Sequence, residues 1–403
     1  MPDPITWYTL GRVTGDPERI MEAIDAKLLS HNEDPSAHGQ TAEAVYAHRN
    51  DPTFDHPQYT IYNIKMAPST RTVKAFCDAG GAAEFEKIQD AINYVNQTGG
   101  GTIHIKPGTY TQTKNITLYN NIDLIGEDRT DCIIDFDDKQ NSINMVGLFA
   151  NHKRDMHIKN LKVQNSNEGT TGAIYFSYAD DCSVEDCEFS QNYYSEEAAG
   201  GDIYISNCKR IHVQRNVSNG SEYLVYGSNL DHLRVEANYI GTVRSSGVDL
   251  TLAINSIVSG NTIVSSGGDG ITLSSGANEI SVTNNHILDP AGYGIYAHQS
   301  EYGTIVGNNV SGSGNHGIYI SASPYYTVVG NSVNGAVGDG IRLYSCDLTT
   351  VTGNVSMSNR DYGVNVFDED CYGCVIVGNT LHDNSVGALN DDGYWTDVGH
   401  NTS

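Results

Sequence analysis

Proline is scarce in this chain, 10 of 403 residues, and tryptophan occurs only twice. Basic residues are few as well: 23 Lys and Arg stand against 49 Asp and Glu, for a formal net charge of −26. A surface of that sign repels nucleic acid and anionic membranes, and the basic footprint of a nucleic-acid binder is missing. No window approaches the uninterrupted apolar run of about 20 residues that a membrane span requires. The opening MPDPITWYTLG has neither a basic n-region nor an apolar h-region. These absences lead to the expectation of a soluble chain made without a secretory signal, with no nucleic-acid and no membrane partner.

What is abundant is glycine (42) and tyrosine (25), in a chain that is only 38% apolar. Asn, Ser and Thr crowd the second half. That mixture suits many short strands with tight turns, not a helical bundle. Eight cysteines, at 77, 132, 182, 187, 208, 346, 371 and 374, are too few for a disulfide scaffold at this length. Cys371-Tyr-Gly-Cys374 has the spacing of a metal knuckle, but a second knuckle is lacking. Buried reduced thiols are expected, and no metal site is assigned.

From residue 235 the sequence copies itself. An asparagine after a small or polar residue recurs in VSGNTIV, VTNNHIL, IVGNNVS, VVGNSVN, VTGNVSM and IVGNTLH, at Asn261, Asn285, Asn308, Asn331, Asn354 and Asn379. A second marker runs in phase as SGVDL, DGITL, YGIYA, HGIYI, DGIRL and YGVNV, with glycines at 247, 270, 294, 317, 340 and 363. Two markers locked to one period of about 23 residues signal a solenoid. Apolar residues within each period alternate, as in Ile271 and Leu273 or Ile318 and Ile320, which means strands with one buried face. The reading is all-β: a right-handed parallel β-helix. The recurrent Asn suits a turn with left-handed backbone, and stacked Asn side chains can form a hydrogen-bonded ladder. The pattern continues upstream, more weakly, through Asn238, Asn216 and Cys187.

FEKIQDAINYVNQTGGG opens with an amphipathic helix, expected over 85–97, which would cap the exposed end of the solenoid. One domain is therefore expected over 71–403. Residues 1–70 differ: PERIMEAIDAKLLSH reads as a short amphipathic helix, followed by irregular polar chain. This segment, with His31, His38, His48 and His56, is expected to serve assembly or attachment, its histidines in local hydrogen bonds rather than on a metal.

The second marker sets the coils in register and defines outward rows. Two residues after the glycine stand Asp249, Thr272, Tyr296, Tyr319, Arg342 and Asn365, with Tyr226, Tyr204 and Tyr175 upstream. The next outward row holds Thr251, Ser274, His298, Ser321, Tyr344 and Phe367; the row before the glycine holds Ser246, Asp269, Tyr293, His316, Asp339 and Tyr362. Aromatic rings beside hydrogen-bonding groups suit sugars, which have an apolar face and a polar rim. A polysaccharide is the expected partner, with Tyr226, Tyr319, Tyr344, Asp339 and Asn365 contacting it.

Catalysis on such a face can take two forms. On a uronate polymer, abstraction at C5 needs a base, an acid and a donor at the carboxylate. Tyr293, Tyr296 or His298 could supply base and acid, with Arg342 or His316 at the carboxylate. On a neutral polymer, paired carboxyls such as Asp249 and Asp269 could hydrolyse the chain. The plainer alternatives stay beside these: tyrosine is ordinary on an exposed strand, and aspartate beside glycine serves turns. The acidic clusters DFDD (Asp135–Asp138), DED (Asp368–Asp370) and Asp391-Asp392 could take Ca²⁺, or be solvated turn charges.

VKAFCDAGG, the EKIQDAI helix and GGGTIHIKPGTY together resemble the start of the pectate-lyase-like β-helix superfamily, over about residues 73 to 403. That superfamily includes mannuronan C5-epimerases, polysaccharide lyases and phage tailspikes. The epimerases carry Tyr-Gly-Phe-Asp-Pro-His at one coil, with Tyr, Asp and His catalytic. Tyr293-Gly294-Ile295-Tyr296-Ala297-His298 matches at Tyr, Gly and His, with Tyr296 in place of Asp and Ala297 in place of Pro. LLSHNEDPSAHGQ through HRNDPTFDHP resembles connecting segments of phage tail-fibre proteins. The resemblance implies a lyase, epimerase or tailspike depolymerase, a homotrimer, and a virion tail or non-classical export as its setting. A hydrolase, a binding module without turnover and a purely structural tail component stand as alternatives.

Overall fold

The computed structural model describes residues 73–80, 84–139, 141–148, 151–166, 172–192 and 201–403. The expectations for the first 70 residues, including the helix at 17–31 and the four histidines, lie outside the described residues.

Three short strands make one coil. Ile271–Ser274, Ser281–Thr283 and His286–Leu288 are followed by Ile295–His298, Thr304–Val306 and Asn309–Ser311, each parallel to its predecessor and in register. The first two faces merge into one 26-stranded sheet because strands such as Gly201–Gln214 run across the corner between them, while the third face is a separate 11-stranded sheet. The alternation read from sequence decides what goes inside. Ile271, Leu273, Ile295, Ala297, Ile318, Ile320, Ile341 and Leu343 are fully buried, as are Val282, Ile305 and Val328 on the second face. Each such aliphatic side chain contributes about 1.5–3 kcal/mol of burial. The core is a column of these side chains, one layer per coil.

The asparagine ladder is continuous from Asn216 to Asn401. At each rung the Oδ1 of one Asn accepts both the Nδ2 and the backbone N–H of the Asn one coil earlier, as Asn308 does from Asn285 at 3.0 and 2.9 Å. The Nδ2 also donates to a backbone carbonyl, Val282 O for Asn308. Cys187 heads the series, its N–H donating to Asn216 Oδ1 at 2.9 Å. The backbone expectation needs correction. The left-handed conformation belongs to the residue before each Asn, at Gly260, Asn284, Gly307, Gly330, Gly353 and Gly378, all with φ between 54° and 70°. The turn bends at that residue so that the following Asn can point inward.

The helix α1 spans Ile88–Gln97, three residues shorter at its start than expected. Phe85 instead pairs as an isolated bridge with Cys77, which holds the preceding residues extended. Ile88, Ala91, Ile92 and Val95 are buried on the first coils, and Gly99 and Gly100 end the helix with positive φ. All eight cysteines are buried free thiols. No helix among the described residues is long and apolar enough to cross a membrane.

Candidate functional site

The register places the expected outward row on one line. Tyr175, Tyr204, Tyr226, Asp249, Thr272, Tyr296, Tyr319, Arg342 and Asn365 are consecutive ladder partners on the first face. Eight steps at about 4.8 Å make a row of roughly 38 Å. Rings stack along it: Tyr204 on Tyr226 at 5.0 Å between centroids, and Tyr296 on Tyr319 at 5.3 Å. Two carboxyls lie between these aromatic stretches.

Asp249 and Asp269 belong to successive coils. Thr272, the ladder partner of Asp249, donates its hydroxyl to Asp269 Oδ2 at 2.9 Å, and Ser246 Oγ lies 3.2 Å from the same hydroxyl. Asp269 Oδ1 accepts the N–H of Tyr293 at 2.8 Å. Burial raises the Asp269 carboxyl against these two hydrogen bonds. Asp249 has no such donor: burial first, then the charge of Asp269, push it up to about 6. Two neighbouring carboxyls with unequal donors are the arrangement in which one holds a proton while the other is ionised. Sequence reading missed Tyr223, whose phenol is raised by burial and by the charges of Asp249 and Glu222, and whose ring meets Tyr226 edge-on at 5.7 Å. Leu224 stands where the later coils carry glycine, so the marker that would have revealed Tyr223 is absent.

Tyr293, Tyr296 and Tyr319 form one cluster, with centroids 4.8 and 5.1 Å from Tyr293 to the other two. Burial is the first cause raising Tyr293, and it pushes Tyr296 up to about 12. His298 stacks on Tyr296 at 5.7 Å, and its Nδ1 lies 3.4 Å from Ser321 Oγ. The structure thus brings the YGIYAH residues together, two coils from the Arg342 coil.

Asp339 and Asn365 do not face outward as a substrate-contacting row would. Asp339 is 1% exposed and Asn365 5%. Asp339 accepts from Arg342 Nη1 at 3.1 Å, Asn365 Nδ2 at 2.9 Å and the Tyr362 N–H at 3.0 Å. Its own N–H donates to His316 Nδ1 at 2.9 Å, which leaves the ring proton on Nε2. Burial is the main cause holding His316 down at about 4, so the imidazole is neutral near pH 7. Arg342 lies over the ring of Phe367, 3.8 Å from Cζ to the ring centroid, with its buried Nε unpaired. Tyr344 and Phe367 remain exposed beside it.

Comparison with known proteins follows the fold. Residues 146–303 match a family model described as "Right handed beta helix region", and residues 282–402 match one described as "Periplasmic copper-binding protein (NosD)". The residues do not fit the copper of the second description: among the described residues no group of three or more His, Cys, Asp or Glu is placed to hold a metal ion. No curated protein matches the chain by sequence. The A-module of Azotobacter vinelandii mannuronan C-5 epimerase AlgE6 superposes with TM-score 0.66 at 17% identity, over 78% of this chain and 94% of that one. The Dettilon tailspike protein gives 0.61 at 16%, over 79% and 68%. The catalytic unit of a GH87 α-1,3-glucanase from Streptomyces thermodiastaticus gives 0.54 at 13%, over 78% and 65%. At these identities the likeness is one of fold.

Proposed function

We propose that this right-handed parallel β-helix is a glycoside hydrolase acting on a neutral polysaccharide laid along the tyrosine face. The observation that carries this reading is the Asp249–Asp269 pair. Asp249, held at about 6, is the general acid that protonates the oxygen of the leaving sugar. Asp269, bonded by Thr272 and the Tyr293 N–H, is the carboxylate that activates water or attacks the anomeric carbon. In either case one C–O bond breaks, and the elements of one water are added across it. Tyr226 and Tyr223 on one side and Tyr296 and Tyr293 on the other supply ring surfaces for the flanking sugars.

Uronate chemistry, which the resemblance brings forward, finds less support. An elimination or epimerisation needs a base, and Tyr293 and Tyr296 are both pushed up, so neither phenol ionises near pH 7. The charge of Arg342 is offset by buried Asp339, and His316 is neutral. A net charge of −26 opposes a polyanion in addition. The α-1,3-glucanase among similar structures is a hydrolase of the kind proposed, on the same fold.

The test is incubation with α-1,3-glucan, β-1,3-glucan, β-1,4-glucan and mannan beside alginate and pectate. New reducing ends from a neutral polymer, absent in Asp249→Asn, are the expected result. Unsaturated uronate absorbance or NMR-detected epimerisation would replace this reading with the uronate one. Binding with no turnover anywhere would make the face a recognition surface only.

A further inference from the structure

The Asp339 network lies four ladder steps from Asp249, about 19 Å along the rod. That is too far to share in bond cleavage at the Asp249–Asp269 pair. Its construction nevertheless exceeds what a solenoid coil needs. Asp269 holds the equivalent place on an earlier coil and accepts two hydrogen bonds, whereas here a 1% exposed aspartate gathers three donors, one of them a guanidinium, and fixes one imidazole tautomer. Leaving Arg342 Nε buried and unpaired carries a desolvation cost. That cost buys a fixed guanidinium plane, pressed on Phe367 and tied to Asp339.

We infer that Arg342, His316, Tyr344 and Phe367 form a distal glycan subsite that binds an uncharged sugar of the same chain whose cleavage is assigned to Asp249 and Asp269. The inference rests on the tyrosine face being a glycan-binding row. Charge selects the ligand class. Asp339 cancels Arg342, and burial keeps His316 neutral, so the cluster offers N–H donors with no net positive charge. Donors of that kind pair with hydroxyl and ring oxygens, and they give a carboxylate or sulfate little reason to bind. The rings of Tyr344 and Phe367, 38% and 43% exposed with centroids 5.9 Å apart, give the sugar an apolar surface beside those donors. The subsite therefore makes the protein a reader of chain length: a glycan must cover about 19 Å to touch the carboxyl pair and Arg342 together.

The experiment measures binding calorimetrically with full-length Asp249→Asn, which holds ligand without turnover. The probes are neutral α-1,3- and β-1,4-gluco-oligosaccharides from disaccharide to dodecasaccharide, with alginate oligosaccharides of equal length beside them. The expected result is a step in affinity once the neutral chain is long enough, and a fall of at least tenfold in the long-to-short affinity ratio on adding Arg342→Gln. Phe367→Ala gives the same fall through an exposed residue, so a folding defect at Arg342 does not decide the matter. An unaltered ratio in both variants overturns the distal subsite while leaving the carboxyl pair in place. Tighter binding of alginate than of neutral chains overturns the assigned ligand class. A length step that depends on Arg342, in a wild type that cleaves nothing, keeps the subsite and removes the hydrolase. No binding of any neutral chain removes both.

Discussion

Thr272 stands between Asp249 and Asp269: it is the ladder partner of the first and donates its hydroxyl to the second at 2.9 Å. The two carboxyls are therefore unequal by construction. Asp269 receives two hydrogen bonds, and Asp249 feels burial and the charge of its neighbour. Which of them holds the proton follows from that difference, and the pH behaviour of the protein follows in turn.

Turnover should fall as pH rises through about 6, because the general acid is active only while protonated. Asp269→Asn removes the neighbouring charge that helps hold the proton, so the residual activity should lose its alkaline limb at lower pH than the wild type. Asp249→Asn should reduce kcat by at least a hundredfold below pH 6, with a gap that narrows as the wild type loses its proton at alkaline pH. Reducing-end assays between pH 4 and 9 read all three. An alkaline limb that stays in place in Asp269→Asn would detach the two carboxyls from each other.

Stability carries the same signature with a defined sign. The unfolded carboxyl titrates near 3.9, and the folded one at about 6. The protonated Asp249 contributes stability that is fully present below the unfolded value and lost as pH rises through the folded one. Asp249→Asn cannot titrate, so its stability relative to wild type should improve by roughly 1–3 kcal/mol between pH 4 and 7. Asp202, buried among Ser218, Ser221 and Asn192 and pushed up to about 7, adds a decline of the same sign to both proteins. Urea denaturation of the pair at the two pH values makes the comparison. A pH-independent difference would mean that Asp249 titrates normally.

His298→Ala separates hydrolysis from uronate chemistry. The imidazole lies on Tyr296 and near Ser321, with the Thr272 coil between its own and that of Asp249. Under the hydrolytic reading its removal costs less than tenfold in kcat, through loosened ring packing. Loss of all turnover, with an unaltered melting temperature, would return the site to Tyr293, Tyr296 and His298.

The register was legible from sequence because both markers sit where the backbone constrains them. Each glycine before a first-face strand leaves no room for a side chain; a Cβ at Gly294 would lie 2.4 Å from Gly317 O. Each buried Asn must find its partner one coil on, so the period cannot drift. These two requirements give away the rows from Asp249 onward, and Tyr175, Tyr204 and Tyr226 follow only by continuing the period upstream, where Ala173, Asp202 and Leu224 replace the glycine. Depth was not legible. Asp339 and Asn365 share a row pattern with half-buried residues such as Tyr293 and Tyr296, and only the hydrogen bonds that Asp339 receives from Arg342 and Asn365 show that they support the face instead of lining it. Nor does alternation alone tell which of two adjacent aspartates receives the hydrogen bonds, since that depends on Thr272 and the Tyr293 N–H arriving from other coils.

The ladder itself makes the sharpest stability prediction, because two neighbouring positions with opposite demands can be compared. Asn308 accepts from the N–H and Nδ2 of Asn285 and donates to Val282 O and Asn331 Oδ1. Asn308→Ala leaves these buried groups unpaired at about 1–3 kcal/mol apiece, for a total loss of about 3–5 kcal/mol with partial relaxation. Gly330 has φ of 65°, and a Cβ built there meets nothing within 4 Å. Ala237 already occupies the equivalent place four coils earlier, at φ 54°. Gly330→Ala should therefore cost only the left-handed backbone, about 1–2 kcal/mol. Denaturation midpoints for the two variants settle the order. Equal losses would mean that the turn, not the asparagine, holds successive coils in register.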